Sequence, residues 1–525
     1  MKNLLKILLF FIIFIFYWNL GNNIENRTEA EDIYEYALMV ENGKDHEWFY
    51  HKHHIMYGPF LHNIYVFLQS NNINISSLSL MRLISALAAT GTLFYFYLFC
   101  YRRYSLRPIS SVLATLCFGM MYGFCRYSAE AEIPIVATFF MMSSMYYLTS
   151  NYLTSKTFLL GIFLSIVSTN IHIMNVVATY IALPAFFLLS KRYKFLCIFL
   201  TINVFALLLT YSKYDMLFEL FSESGKLILI FDPSILIKGL VGFLQAIISF
   251  DFVLGFDVIR NFLGNLFSTR MLEEEFYFGS RLSFWHVLFS SITFFLLFLV
   301  TLYALLRSIY VWKNMHIYNK KFLPPNGRKS FILPIIFFVG YSVLILCVEP
   351  GNPELWVMGL MPFSLLLCGL IFIPLTYDNK LWIPFLAVIL LLIHNNLAIS
   401  ALSDPFKDYN FSKSEYILEK ANKDDLVITA GNPVFERYLR YHSSAKVIYL
   451  YTVNINKMND YIFSKKYENI YVLGDVFNQI ESLNKRFPKK SSDINIFSKK
   501  IIKNSQLIFN NEFDGVYKLN IGEDI

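Results

Sequence analysis

The sequence predicts a polytopic α-helical membrane protein of about eleven transmembrane helices, with a C-terminal extracytoplasmic α/β domain. Three observations predict it. The 525 residues are 56% hydrophobic and 16% charged, with a mean hydropathy of +0.47; soluble domains average about one quarter charged. Apolar runs long enough to cross a bilayer recur as far as residue 403. From Asp404 the chain turns hydrophilic, and its apolar residues gather in short alternating runs.

The apolar runs fall at 4–20, 79–101, 109–126, 133–150, 157–172, 174–190, 195–212, 283–309, 331–348, 354–376 and 381–403. The first follows Lys2 and Lys6 and ends at Tyr17-Trp18-Asn19 without a small-x-small cleavage site, so it reads as a retained first helix. Lys and Arg gather in every second connection: Arg102, Arg103 and Arg107; Lys156; Lys191, Arg192 and Lys194; Arg307 through Lys329; and Lys380. The positive-inside rule puts these connections and the N-terminus in the cytoplasm, and eleven spans then leave the C-terminus outside. Residues 236–256 are apolar enough to be a twelfth span. A single crossing there would put Arg307 to Lys329 outside, so the expectation is an external interfacial or re-entrant element, interrupted by Asp251 and closed by Gly255.

This gives a transmembrane domain over 1–403, with a first external loop at 21–78 and a second large external segment at 213–282, followed by an extracytoplasmic domain over 404–525. In that domain the runs 425–430, 446–451 and 469–475 read as strands separated by helical stretches, the pattern of a small βαβ unit with a parallel sheet. Gly431-Asn432-Pro433 follows the first strand, but neither a G-x-G-x-x-G nor a P-loop is present, so no nucleotide site is expected. The net charge of +7 is divided among short loops rather than a basic tail, which excludes a nucleic-acid partner. All six cysteines lie in or beside apolar segments, so neither a structural disulfide nor a zinc site is expected.

The chemistry-bearing residues collect in the expected outer connections. Residues 29–54 carry Glu29, Glu31, Asp32, Glu35, Glu41, Asp45 and Glu47, together with His46, His51, His53 and His54. Ionisable groups at a membrane are costly and persist mostly where they act. The bland reading is an acidic, solvated loop. Arg82 opens the second span, Arg126, Glu130 and Glu132 follow the third, and His172 follows the fifth.

Within loop 1, Glu31-Asp32 opens an amphipathic helix with Tyr34, Tyr36, Ala37 and Gly43; then come a His-rich turn at His53-His54, Tyr57-Gly58-Pro59, and a second amphipathic run. This order resembles the first external loop of the GT-C superfamily, the polytopic glycosyltransferases that use polyprenyl-phosphate sugars. It is most similar to the bacterial relatives of the protein O-mannosyltransferases (family 39-like) and the aminoarabinose transferases. RLISALAATGTLFYFYLFCYRR, from Arg82 to Arg103, resembles the family's second helix, and RYSAEAEIP, from Arg126 to Pro134, lies where its second external loop carries acidic residues. The chain departs from the family in reading Glu-Asp for Asp-Glu, and His-His-Ile-Met-Tyr-Gly-Pro for His-Pro-Leu-Tyr-Pro.

The resemblance implies an inverting hexosyl or pentosyl transfer from a polyprenyl-phosphate sugar to a lipid, glycan or protein acceptor on the outer face. The donor carries its own leaving group, so a single carboxylate must take the acceptor's proton. Asp32 is the candidate base and Glu31 the alternate; the bland reading of Asp32 is a helix cap. The departing phosphate needs donors and cations around it. His53, His54, Arg82, Arg126 and His172 are candidates for it, and Glu130 and Glu132 for substrate contact. Against this stand interfacial packing for the histidines, headgroup anchoring for Arg82 and plain solvation for the two glutamates. No cofactor is required, although the His-x-His-His run leaves a divalent cation possible. The competing functions are a transporter or flippase of lipid-linked glycans, and a non-catalytic membrane assembly protein. Helix interiors almost free of charge, with no repeated halves, argue against the transporter. The expected location is a bacterial plasma (inner) membrane among its lipids. The sequons at Asn26, Asn74 and Asn410 leave the ER membrane as the alternative.

Overall fold

The computed structural model describes residues 2–24, 32–214, 233–266, 273–314, 325–455, 458, 462, 467–510 and 515–520. The chain divides into two compact units, one of Met1–Ile24, Met39–Ser249 and Phe289–Ile399, and the other of Glu25–Leu38, Phe250–Leu288 and Ser400–Ile525.

The first unit is helical throughout its described residues. α1 (Lys2–Asn23) leads to α2 (Ile33–Asn42) and α3 (Tyr57–Ser70). α4 (Ser77–Arg102), α5 (Pro108–Gly119), α6 (Tyr122–Glu130), α7 (Ile133–Leu148) and α8 (Ser155–Ile171) follow. A π-helical stretch at Val177–Ala182 runs into α9 (Leu183–Leu189), and then comes α10 (Tyr193–Lys213). α11 (Pro233–Ile247) comes next; α12 (Asp257–Leu266) and α13 (Glu273–Ser280) belong to the second unit, and the first unit's bundle closes with α14 (Phe284–Asn314), α15 (Pro325–Val348), α16 (Pro353–Leu367), α17 (Ile373–Tyr377) and α18 (Trp382–Leu402). Each of the eleven apolar runs is helix, continuous or broken. Seven described helices are long and apolar enough to cross a membrane, and up to eight if α5 and α6, bent by 66° at their junction, form one span. The chain is a multi-pass membrane protein.

Without a hydrophobic drive between helices in lipid, small residues let them approach closely. α8 lies against α7 in this way: Ser144 donates to the Gly161 carbonyl at 2.8 Å and Ser168 to the Ala137 carbonyl at 2.8 Å. The α5–α6 break frees backbone groups at the buried Met120 and Met121, and these must find partners. Asn395 on α18 supplies them. Its amide donates to Met120 O at 2.7 Å, and its oxygen accepts from Ser249 N, beyond the end of α11, at 3.1 Å. His394 meets Ser249 O at 2.8 Å and Thr293 Oγ1 at 2.8 Å. This polar node staples two helix ends.

α11 covers part of the ambiguous 236–256 segment. Its 15 residues rise about 22 Å at 1.5 Å each, short of a bilayer core. It packs Phe243 against Trp356 and Phe363, with ring centroids 5.1 and 5.0 Å apart. The helix stops at Ile247, before Asp251, and Asp251–Gly255 forms a separate 3-10 turn.

The second unit contains α19 (Phe411–Lys420), β1 (Leu426–Thr429), α20 (Pro433–His442), β2 (Lys446–Tyr449) and β3 (Ile470–Leu473), then α21 (Glu481–Arg486), α22 (Pro488–Ile501), β4 (Ser505–Asn510) and β5 (Gly515–Leu519). The sheet order is β2-β1-β3-β5-β4. The three strands expected from sequence form its parallel half, with Val427 opposite Val447 and Tyr471. β5 adds antiparallel to β3, and β4 to β5. The sequence reading did not anticipate this pair, because β4 buries none of its residues fully and lacks the continuous apolar run of a central strand. Leu426, Ile428, Val472, Ile494 and Phe497 fill the core. Beyond β1, Asp475 accepts from Thr429 Oγ1 and Ala430 N, both at 2.9 Å, and so occupies the donors at the carboxyl end of the strand.

Candidate active site

In the first unit, the loop-1 residues fold onto the turn that joins α8 to the π-helical stretch. Gly43, at φ +59, ends the α2 segment in a left-handed conformation, and a Cβ there would lie 2.5 Å from the His62 ring. Tyr57-Gly58-Pro59 forms the first turn of α3, where a proline needs no N–H partner. Met56 N donates to Asn170 O and Ile173 N to His53 O, each at 3.0 Å. These two bonds clasp the His51–His54 turn to the His172 turn.

The clasp brings four imidazoles together. His54 stacks on His51 with centroids 5.3 Å apart and meets the His172 ring edge-on at 4.7 Å; His53 lies 5.2 Å from His51. Burial, and then the neighbouring His172, His51 and His53, hold the His54 imidazole well below its ordinary range. It is therefore neutral near pH 7, and its one N–H is directed to the Ile171 carbonyl. Among the described residues no group of three His, Cys, Asp or Glu side chains is arranged to hold a metal ion.

Tyr57 connects this cluster to the acidic connection. Its hydroxyl donates to Ala131 O at 3.4 Å, and burial together with the Glu132 carboxylate pushes the phenol up. Ala131 itself takes a left-handed φ of +67, which turns the chain sharply between α6 and α7. Arg126 and Glu130 form a buried pair one turn apart, Nε donating to both carboxylate oxygens at 3.1 Å, while Arg126 Nη1 donates to Tyr122 at 3.2 Å. Neither side chain is solvated, contrary to the bland reading of Glu130. Arg82 donates to Ile24 O at 2.8 Å, which ties α4 to the end of α1, and its Nε has no hydrogen-bond partner among the described residues.

Asp32 belongs to the second unit and lies just ahead of α2. Arg437 Nη1 on α20 donates to its Oδ1, and Tyr36 donates to Oδ2 at 3.3 Å. Burial pushes the carboxyl above its usual range, while Arg437 and the Tyr36 hydroxyl pull it back. Next to it, Arg440 donates to Glu35 at 3.2 Å. Glu31 and Glu29 lie outside the described residues. The sequence reading missed Arg437 and Arg440. Their signal was an amphipathic helix, PVFERYLRYH, with both arginines on one face, which reads equally well as a solvated surface.

The eleven helical runs, the clasped loop and the small mixed sheet define a polytopic membrane protein with a C-terminal α/β unit. The solved structure of ArnT from Cupriavidus metallidurans, bound to undecaprenyl phosphate, shares this fold. It matches 99% of this chain and 98% of its own, with a TM-score of 0.55 at 9% sequence identity. That likeness establishes the fold. No protein-family model and no curated protein sequence matches the chain.

Proposed function

We propose that the chain is an integral-membrane glycosyltransferase, moving a hexosyl or pentosyl group from a polyprenyl-phosphate donor to an acceptor on the outer face of the membrane. The observation that carries this reading is the clasped imidazole turn, set in a chain that has the ArnT fold over nearly its full length. In it, the acceptor's hydroxyl or amine attacks the anomeric carbon while Asp32 takes its proton. The bond from that carbon to the phosphate oxygen breaks, polyprenyl phosphate leaves, and the configuration inverts.

His53 and His172 meet the phosphate as hydrogen-bond donors, with His54 packed against the His172 ring, and Arg82 supplies charge. Arg126 is matched by Glu130, so its part is to hold the α6 end, with Glu130 and Glu132 shaping the substrate side. The α/β unit, over 404–525, stands outside a bacterial inner membrane and faces the lipid, glycan or protein acceptor. The flippase alternative fits less well, because the freed carbonyl at the α5–α6 break is taken up by Asn395 rather than left to ligate an ion.

The test is sugar transfer in membranes by the full chain and by Asp32→Asn. Transfer should fall by about two orders of magnitude or more, while binding of undecaprenyl phosphate survives. Normal transfer by Asp32→Asn, with loss in Glu31→Gln, would reassign the base. Normal transfer by both would end the glycosyltransferase reading of this loop.

A further inference from the structure

We propose that Arg437 is a positioning residue for Asp32: its guanidinium, carried on α20 of the α/β unit, orients that carboxylate and keeps it ionised to receive the acceptor's proton. The proposal rests on the reading of Asp32 as the general base.

Asp32 and Glu35 sit one helical turn apart at the start of α2, and Arg437 and Arg440 have the same spacing on α20. The pairing is ordered. Arg440 donates to Glu35 at 3.2 Å and lies 3.6 Å from Glu436. Arg437 bonds Asp32 and stands 3.8 Å from Glu35. Glu35 is almost fully buried, whereas the Asp32 side chain keeps 31% of its exposure. Glu35 and Arg440 thus close an internal pair, and Asp32 is the carboxylate held by an arginine yet open to an incoming group.

The packing around the pair fixes its geometry. Tyr34 meets the Tyr438 ring edge-on at 5.1 Å and the His442 ring at 5.6 Å. The hydrogen bond to Oδ1 sets the plane of the carboxylate, and Oδ2, with two lone pairs, accepts from Tyr36 and retains one. A partly buried carboxyl drifts toward the protonated form, which is useless as a base; an adjacent guanidinium opposes that drift. The charged and titratable groups facing the pair are Glu35 and Tyr36 from α2, Glu436 from α20 and Tyr449 from β2. Packing alone does not call for an arginine here, since the aromatic contacts already join the two helices.

The experiment titrates Asp32 without any substrate. Dicyclohexylcarbodiimide modifies protonated carboxyls, and the Asp32 adduct of the full chain in detergent is quantified by mass spectrometry across pH. Arg437→Gln should raise the labelling midpoint by about one pH unit or more. Arg437→Lys keeps the charge and should stay near the wild-type midpoint. Glu35→Gln removes a neighbouring negative charge and should move it down, and this variant carries the test if Arg437→Gln does not fold. The pH optimum of transfer should move with the midpoint. A midpoint unmoved in Arg437→Gln, or in Glu35→Gln where Arg437→Gln does not fold, with Asp32→Asn inactive, overturns the role of Arg437 and leaves the base assigned. Shifted midpoints with Asp32→Asn fully active overturn the base, and the positioning role with it.

Discussion

The backbone N–H of Ile173 donates to the carbonyl of His53 at 3.0 Å. This bond, between residues far apart in the chain, makes an imidazole-rich loop and a helix-connecting turn into one surface. Together with the Met56 N to Asn170 O bond, it fixes the path of loop 1 by backbone contacts.

Gly58 tests that seat. A Cβ there would lie 2.6 Å from Phe49 O and 2.9 Å from Met39 Sδ. The methionine can move, whereas the backbone carbonyl cannot without shifting the loop. Gly58→Ala is expected to cost about 1–3 kcal/mol and to weaken undecaprenyl-phosphate binding. Thermal unfolding and lipid-binding measurements in detergent check both. An unchanged midpoint together with unchanged binding would show that the loop's path is not set here.

The Arg126–Glu130 pair is buried, with side-chain exposures of 3% and 2%. Glu130→Ala leaves a buried guanidinium without its carboxylate and should cost about 3–5 kcal/mol, whereas replacing both residues by methionine should cost far less. A double-mutant cycle in unfolding stability measures the difference. Additive losses would mean that the two side chains act independently.

Glu274 predicts a pH dependence of the second unit. Its carboxylate accepts from Asn410 at 2.8 Å and also from Asn432. Burial nevertheless pushes it up to about 8, against the two amide bonds. An unfolded glutamate titrates near ~4.3, so between these values the folded chain holds a proton that the unfolded chain has lost. Stability therefore falls as pH rises through that window. Hydrogen exchange in β1 and α20 should be slower at pH 5 than at pH 8 after correction for intrinsic rates, and Glu274→Gln should flatten the trend. An equally steep trend in the variant would locate the proton elsewhere.

The sequence by itself determined the elements whose cause is local. Each apolar run became helix because its backbone must satisfy itself in lipid, and β1, β2 and β3 formed where short apolar runs were bounded by turn residues. The acidic start of α2 and the histidine run were legible as chemistry for the same reason, since such groups are costly beside a membrane. The tertiary structure alone decided which of these groups meet. His54 joins His172 across more than a hundred residues, and Asp32 joins Arg437 across four hundred. Sequence spacing carries no trace of either pairing. In the same way, nothing in LLIHNNLA announces that Asn395 caps a broken helix, because that need arises only when α5 bends away from α6. Local propensity and hydropathy set the elements; hydrogen-bond satisfaction and charge pairing between distant segments set the site.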